Sequence, residues 1–221
     1  MKQKRILTIQ DLSSIGKCSL SVALPILSVM GHEAVALPAM LFSNHTAFKK
    51  YEKVDLAKEL YAFCDAWDEE GIEFDILYVG YIGSREGIRL AGELIDRYKG
   101  DKGKAKNKND SDNNKTNKDV LVMIDPAMAD NGRLYSGLDA TYVEDMRELI
   151  EKADIIVPNE TEAKLLFGDE LDNLPKDTGV VITSCHEGEG NEHIKLIYAS
   201  DEKECEEKEK GKEKEQVKMG Q

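Results

Sequence analysis

Residues 75–98 read DILYVGYIGSREGIRLAGELIDRY, and this stretch indicates the class of fold. The apolar run at 75–79 is typical of a buried strand, and the mixed apolar and charged pattern at 84–98 is typical of an amphipathic helix. Gly80 and Gly83 lie between the two, where glycine lets the backbone turn and approach a ligand closely. The stretch therefore predicts a strand, a tight turn and a helix.

The same alternation of strand and helix continues in both directions from this stretch. Further apolar runs predict strands at 5–9, 33–37, 120–124, 154–157 and 180–183. Amphipathic segments predict helices at 17–30, 55–70, 141–152 and 161–167. Because continuous apolar strands separated by helices are typical of parallel sheets, we expect a three-layer α/β fold. Its central, mostly parallel sheet is predicted to carry helices on both faces.

The composition excludes some classes of function and partner. The chain has 221 residues, with 43 Asp and Glu against 30 Lys and Arg and a formal net charge of -13. Nucleic-acid binding depends on clustered Lys and Arg, so we expect no nucleic-acid partner. The first apolar run, at 6–9, is too short for a signal peptide or a membrane helix. We therefore expect a cytoplasmic protein with no membrane contact.

Two polar stretches interrupt the pattern. Residues 100–119 contain no apolar residue larger than alanine, which predicts a low-complexity insertion in solvent. Residues 201–221 are mostly charged, and the missing apolar stripe favours a disordered tail over a lone helix. The folded domain is therefore expected at 1–200, with the insertion inside it.

Polar side chains follow several predicted strands, at the edge where parallel sheets bind ligands. Asp11 follows the first strand and fits a capping carboxylate as well as a ligand-binding one. His45 and Thr46 belong to a run of four polar side chains at 43–46, for which a simple turn is the commoner explanation. Tyr81 either presents its ring to a flat ligand or belongs to the core.

Carboxylates and hydroxyls follow the later strands. Asp125 follows the fourth predicted strand, and Asn159 and Glu162 lie in the first turn of the helix after the fifth. Each of these two positions alone fits a helix-capping role. Acidic residues after two strands of the same sheet, however, predict a shared site for hydrated Mg²⁺ and phosphate. Thr183 and Ser184 end the sixth strand, where their hydroxyls either bind a nucleotide phosphate or begin a turn.

Four short motifs stand at these strand ends. They are FSNHT at 42–46, GYIGS at 80–84, IDP at 124–126 and PNETE at 158–162. In this order they resemble the motifs of the pyridoxal/pyridoxamine kinases of the ribokinase-like family. The first two are the most specific, whereas the last two occur more widely among ribokinase-like kinases. The resemblance extends from about residue 5 to residue 198 and implies the ribokinase-like form of the three-layer fold.

The resemblance also implies an activity and a set of site residues. It implies transfer of the γ-phosphate of ATP, with Mg²⁺, to the 5′-hydroxymethyl group of pyridoxal, pyridoxamine or pyridoxine in pyridoxal 5′-phosphate salvage. Family members are commonly homodimers, although nothing in the sequence identifies an interface. By position, the substrate-side residues are Asp11, His45, Thr46 and Tyr81, and Asp11 stands where many members have Ser. The nucleotide-side residues are Asp125, Val157, Asn159, Glu162, Thr183 and Ser184, of which Asp125 and Glu162 are expected to hold the metal through water.

The chain departs from the family in one respect. No counterpart is found for the Gly-Thr-Gly-Asp motif, whose Asp removes the proton from the substrate hydroxyl. The resemblance therefore implies no catalytic base here, a fold whose C-terminal part is missing, and impaired turnover. One alternative is a non-catalytic vitamin B6-binding or interaction protein on a truncated kinase fold. Another is a hydroxymethylpyrimidine kinase, which shares the Asp-Pro and Asn-x-x-Glu elements, although FSNHT and GYIGS favour the vitamin B6 branch.

Overall fold

The computed structural model describes residues 2–99, 120–169, 171, 173–186 and 192–199, with His186 and 192–199 described as backbone only. The expectations for 100–119 and 201–221 lie outside the described residues. The described helices are α1 Leu20–Val29, α2 Leu60–Glu69, α3 Arg85–Lys99, α4 Ala140–Ile150 and α5 Glu160–Phe167. The described strands are β1 Arg5–Ser13, β2 Glu33–Phe42, β3 Lys53–Asp55, β4 Ile76–Val79, β5 Leu121–Ile124, β6 Ala129–Asp130, β7 Arg133–Leu134, β8 Ile155–Ile156, β9 Thr178–His186 and β10 Glu192–Ala199.

The central sheet has eight strands in the order β10-β9-β8-β5-β4-β1-β2-β3. Every pairing from β9 to β2 is parallel, whereas β10 and β3 pair antiparallel at the two edges. Strands β6 and β7 form a separate antiparallel hairpin. The predicted α/β class and the mostly parallel sheet are thus confirmed, and each predicted strand and helix has a counterpart.

Some predicted boundaries are wrong, for local reasons. The helix expected at 17–30 begins only at Leu20, because Gly16 and Ser19 have φ angles of 88° and 46°, which helix residues do not adopt. The helix expected at 55–70 begins at Leu60, and its first expected residue, Asp55, ends β3 and pairs with β2 instead. Strand β3, the β6–β7 hairpin and β10 had no counterpart in the prediction.

One face of the sheet carries the main hydrophobic core. Leu7 and Ile9 of β1 and Leu77 and Val79 of β4 are fully buried there, in one cluster with side chains of α2, α3, α4 and α5. Each such side chain contributes roughly 1.5–3 kcal/mol to stability when it is completely buried. This packing fixes the strands whose carboxyl ends carry the polar residues.

The opposite face carries α1. Side chains alternate along a strand, so Gln10 and Tyr78 point away from the main core, and both line a cavity together with Val22 and Ile26 of α1. Helices therefore lie on both faces, as expected. Helix α1 has no charged residue, and its Ile26 side chain is 53% exposed.

Candidate functional site

Asp11 lies at the bulged end of β1, where the register with β2 shifts between Gln10 and Asp11. The residue is 3% exposed, and its backbone N–H donates to the Tyr81 carbonyl at 2.8 Å. The Ser13 hydroxyl donates to Asp11 Oδ2 at 3.2 Å. Burial raises the pKa of Asp11, whereas hydrogen bonds from Ser19 and Ser13 and the nearby His45 oppose the rise. The carboxyl is thus a buried acceptor with a few nearby hydroxyl donors.

His45 is brought to Asp11 by a contact between two loops. The His45 N–H donates to the Ile15 carbonyl at 2.7 Å, and His45 Nδ1 accepts from the Ala47 N–H at 3.1 Å. Gly16 lets the loops meet, because a Cβ there would lie 2.8 Å from the His45 Cβ. Thr46, the next residue, is exposed at the surface of this loop.

Tyr81 connects β4 to α3 within an aromatic group. Its ring centroid lies 6.3 Å from that of Phe42 and 6.1 Å from that of Tyr135. Burial, with the nearby Asp11 carboxyl, raises the pKa of Tyr81 to about 12, so the phenol is neutral at physiological pH. The structure therefore brings Asp11, His45 and Tyr81 together.

Asp125 follows β5, and its backbone N–H donates to the Val79 carbonyl at 2.8 Å. Burial and the nearby Glu162 carboxylate raise the pKa of Asp125 to about 7. Among the described residues, no cation acts on this carboxyl. A positive ion bound beside Asp125 and Glu162 would stabilise both carboxylates in their charged form.

Glu162 has a structural role that the sequence left open. It is 2% exposed, and its Oε1 accepts from the Met128 and Ala129 N–H groups at 3.0 and 3.3 Å. Its Oε2 accepts from the Asn159 N–H at 2.9 Å, and Asn159 Oδ1 accepts from the Glu162 N–H at 3.0 Å. These reciprocal bonds form a capping box at the start of α5. Glu162 therefore caps α5, and its carboxylate can still accept a further bond.

The remaining nucleotide-side residues lie along the ends of β8 and β9. Val157 donates its N–H to Ile124, and Thr183 donates its N–H to the Pro158 carbonyl, each at 2.9 Å. Ser184 is exposed and has a φ angle of 53°. Together with Asn159 it lines a cavity of about 400 Å³ beside the start of α5, which we call the α5 cavity.

A second cavity, of about 270 Å³, lies between α1 and the ends of β1, β4 and β5. We call it the α1 cavity. Tyr81 from the substrate-side set and Asp125 from the nucleotide-side set both line it. Its wall on the α1 side is apolar and includes Val22, Ala23, Ile26 and Leu27.

Three site residues were missed by the sequence reasoning. Gln10 lines the α1 cavity and is 3% exposed, but the sequence gives no sign that α1 covers this part of the sheet. Tyr135 packs edge-on against Tyr81, and burial raises its pKa to about 12. Asp130 lines the α5 cavity next to Asn131-Gly132. The Asn-Gly pair is a strong hairpin signal that would have located the turn.

Metal-ligating clusters and membrane-spanning helices are both absent from the described residues. Within that part of the chain, no group of three or more His, Cys, Asp or Glu side chains is arranged to hold a metal ion. Among the same residues, no helix has the length and apolar character that crossing a membrane requires.

Comparisons with known proteins agree with the architecture. No protein-family model matches the chain. Bovine pyridoxal kinase is 27% identical over 201 residues, which cover 81% of this chain and 58% of the relative. A Bacteroides thetaiotaomicron protein, described as a phosphomethylpyrimidine kinase and crystallised with pyridoxal, is 33% identical with a TM-score of 0.67. The match covers 83% of this chain and 63% of that protein.

Pyridoxal kinase from Lactobacillus plantarum is 28% identical, with a TM-score of 0.68 and coverage of 90% of this chain and 73% of that one. The chain spans about half the length of the curated relatives that it matches, 53% for the fission yeast relative and 58% for the bovine one. By sequence and by fold, this chain is therefore similar to pyridoxal kinases.

Proposed function

We propose that this protein binds a vitamin B6 alcohol, namely pyridoxal, pyridoxamine or pyridoxine, together with ATP, and that it is built to phosphorylate the 5′-hydroxymethyl group. The observation that carries the proposal is the α1 cavity. One residue expected at the ring, Tyr81, and one expected at the phosphate, Asp125, line the same space. The hydroxyl that accepts the phosphoryl group has to lie between a residue that contacts the ring and a residue on the phosphate side.

Phosphoryl transfer depends mainly on positioning and on neutralising charge. The buried Asp11 carboxyl and the neutral Tyr81 phenol are suited to the polar edge and the face of a pyridine ring, and His45 lies beside Asp11. Pyridoxal was present in the crystals of the Bacteroides relative, which agrees with a ring-binding site in this fold. Thr46 joins this set only if its loop closes over the ligand.

The nucleotide is proposed to lie toward β8 and β9, where Asn159 and Ser184 line the α5 cavity. Val157 and Thr183 contribute the backbone of that edge. Asp125 and Glu162 would hold Mg²⁺, largely through water, since their mutual repulsion is relieved by a cation. Bound there, the ion would neutralise phosphate charge.

The experiment is isothermal titration calorimetry of the full chain with pyridoxine, and separately with a non-hydrolysable ATP analogue and Mg²⁺. We expect both to bind, and we expect Asp125→Asn to weaken nucleotide binding at least tenfold. Asp145→Asn is the matched control, because Asp145 pairs with Arg85 at the surface. Failure of the wild-type chain to bind pyridoxine would refute the proposal.

A coupled phosphorylation assay separates an enzyme from a binding protein. The Gly-Thr-Gly-Asp motif that supplies the catalytic base in the family has no counterpart in residues 1–221, so we expect little turnover from this chain. Turnover that Asp125→Ala abolishes would exclude the binding-only alternative. Turnover at the level of a complete kinase would contradict the impairment.

A hydroxymethylpyrimidine kinase is the second candidate, because the Bacteroides relative was described as a phosphomethylpyrimidine kinase. Titration with 4-amino-5-hydroxymethyl-2-methylpyrimidine tests it directly. Tighter binding of this pyrimidine than of pyridoxine would favour the second candidate. The family resemblance further leads us to propose a homodimer in the cytoplasm, which light scattering and cell fractionation test.

A further inference from the structure

The Gln10 side chain is a buried polar group that the proposed roles do not use. It is 3% exposed and lines the α1 cavity, yet its Nε2 atom has no hydrogen-bond partner among the described residues. The Tyr78 phenol lies beside it, but no hydrogen bond of acceptable geometry joins Gln10 Nε2 to that oxygen. A buried amide donor without a partner is costly, and at a cavity wall a bound ligand can supply that partner.

The packing around Gln10 holds the side chain in place. Gly80 lies against it, and a Cβ at position 80 would come within 2.7 Å of Gln10 Cδ. A glycine at this position therefore makes room for the amide at the cavity edge. A half-turn of the amide exchanges its oxygen and nitrogen in the same space, so the group can present a donor or an acceptor to a ligand.

The cavity itself indicates which part of a ligand the amide meets. Tyr81 and Asp125 also line it, one from the proposed ring side and the other from the proposed phosphate side. Its volume of about 270 Å³ suits a small substituted ring. The polar atom of the ligand that lies between ring and phosphate is the oxygen of the acceptor hydroxymethyl group.

We propose that Gln10 is a substrate-binding residue whose side-chain amide hydrogen-bonds the hydroxymethyl oxygen of the bound ring alcohol. The proposal rests on the proposed function, which supplies the ring alcohol. It adds a specific contact at the reacting oxygen, made by a residue outside the motifs that carry the family resemblance.

The test compares two ligands on matched variants by isothermal titration calorimetry of the full chain. The ligands are pyridoxine and 5-deoxypyridoxine, which has a methyl group in place of the 5′-hydroxymethyl group. We expect Gln10→Met to weaken pyridoxine binding about tenfold and to leave 5-deoxypyridoxine binding nearly unchanged, because one hydrogen bond is lost only with the first ligand. Gln10→Glu, which keeps the shape and removes the amide donor, covers the case in which the first variant does not fold.

Thr8→Val is the matched control. The Thr8 hydroxyl is also fully buried and has no partner among the described residues, two positions earlier on the same strand, but it does not line the cavity. We expect this variant to bind both ligands like the wild type. Equal weakening of both ligands by Gln10→Met, or no weakening of either, would overturn the role of Gln10 while leaving the proposed function intact. No binding of pyridoxine by the wild type would overturn both.

Discussion

The protonation state of Asp125 follows from its burial beside Glu162. Its pKa rises from 3.8 to about 7, so the folded protein holds this proton more tightly than the unfolded chain does within that range of pH. Stability should therefore fall as the pH rises from 3.8 to about 7, by up to about 4 kcal/mol at 1.36 kcal/mol per pKa unit. Asn cannot ionise, so Asp125→Asn removes this loss of stability at higher pH.

We expect Asp125→Asn to be more stable than the wild type above this range of pH and similar to it below. Urea unfolding of both proteins at the two ends of the range measures the difference. Asp145→Asn should have the opposite dependence and a small magnitude, because Arg85 lowers the pKa of Asp145 at the surface. Parallel stability curves for wild type and Asp125→Asn would contradict the expectation.

A substitution at Gly16 tests whether the contact between its loop and the loop of His45 positions the His45 side chain. Gly16→Ala places a Cβ 2.8 Å from the His45 Cβ, at a residue with a φ angle of 88°. Gly71 has a φ angle of 66° with open space around it, so Gly71→Ala reproduces the backbone strain, about 1–2 kcal/mol, without the clash. We expect both variants to lose stability and only Gly16→Ala to lose affinity for pyridoxine. Calorimetry and thermal unfolding measure the two effects, and equal affinities would show that the contact does not matter for binding.

At the scale of an element, the start of α5 depends on Glu162. Glu162→Ala leaves the buried backbone N–H groups of Met128 and Ala129, and the partly buried one of Asn159, without their carboxylate acceptor. We expect a loss of about 2–4 kcal/mol in the free energy of unfolding. Lys164→Ala on the same helix breaks an exposed pair with Glu160 and should cost no more than about 0.5 kcal/mol. Chemical denaturation measures both, and similar losses would mean that the capping box contributes little.

The elements differ in how far the sequence predicts them. Strands β1, β4 and β5 and helix α3 were predicted because apolar spacing is a local property that burial preserves. The β6–β7 hairpin was missed because two-residue strands such as Ala129–Asp130 are too short to show alternation. Strand β3 was missed for a related reason, since its three residues are all exposed and only pairing with β2 defines it.

The site residues also differ in how far the sequence predicts them. The resemblance assigns Asp11, His45 and Tyr81 to one substrate side, and parallel strands bring their carboxyl ends to one edge of the sheet. The environment of Gln10 was not predictable, because it depends on α1 packing over the sheet and on Gly80 lying beside it. The bonds that occupy Glu162 were also beyond the sequence, since Met128 and Ala129 lie more than thirty positions away in the chain.

For the whole molecule, the main consequence is the difference between the two faces of the sheet. Of the described helices, four join the core on one face, whereas α1 leaves Val29 and Met30 89% and 61% exposed on the other. We expect Val29→Lys with Met30→Gln to reduce the fluorescence of a bound hydrophobic dye and to leave the unfolding midpoint within experimental error. Glu93→Lys, an exposed change on α3, should leave dye binding unaltered. Unchanged fluorescence in the first variant would indicate that this end of α1 is covered in solution.

The hydrogen bonds between Ala129 and the start of α5 have a consequence for hydrogen exchange. The Ala129 N–H donates to Glu162, and the Ala129 carbonyl accepts from Asn159 Nδ2 at 2.7 Å, so the loops that follow β5 and β8 are joined at one residue from both sides. Neither loop can open without breaking the bonds of the other. The amides of Met128, Ala129, Asn159 and Glu162 should therefore exchange with deuterium as one cooperative unit, at a common rate and with a common dependence on denaturant.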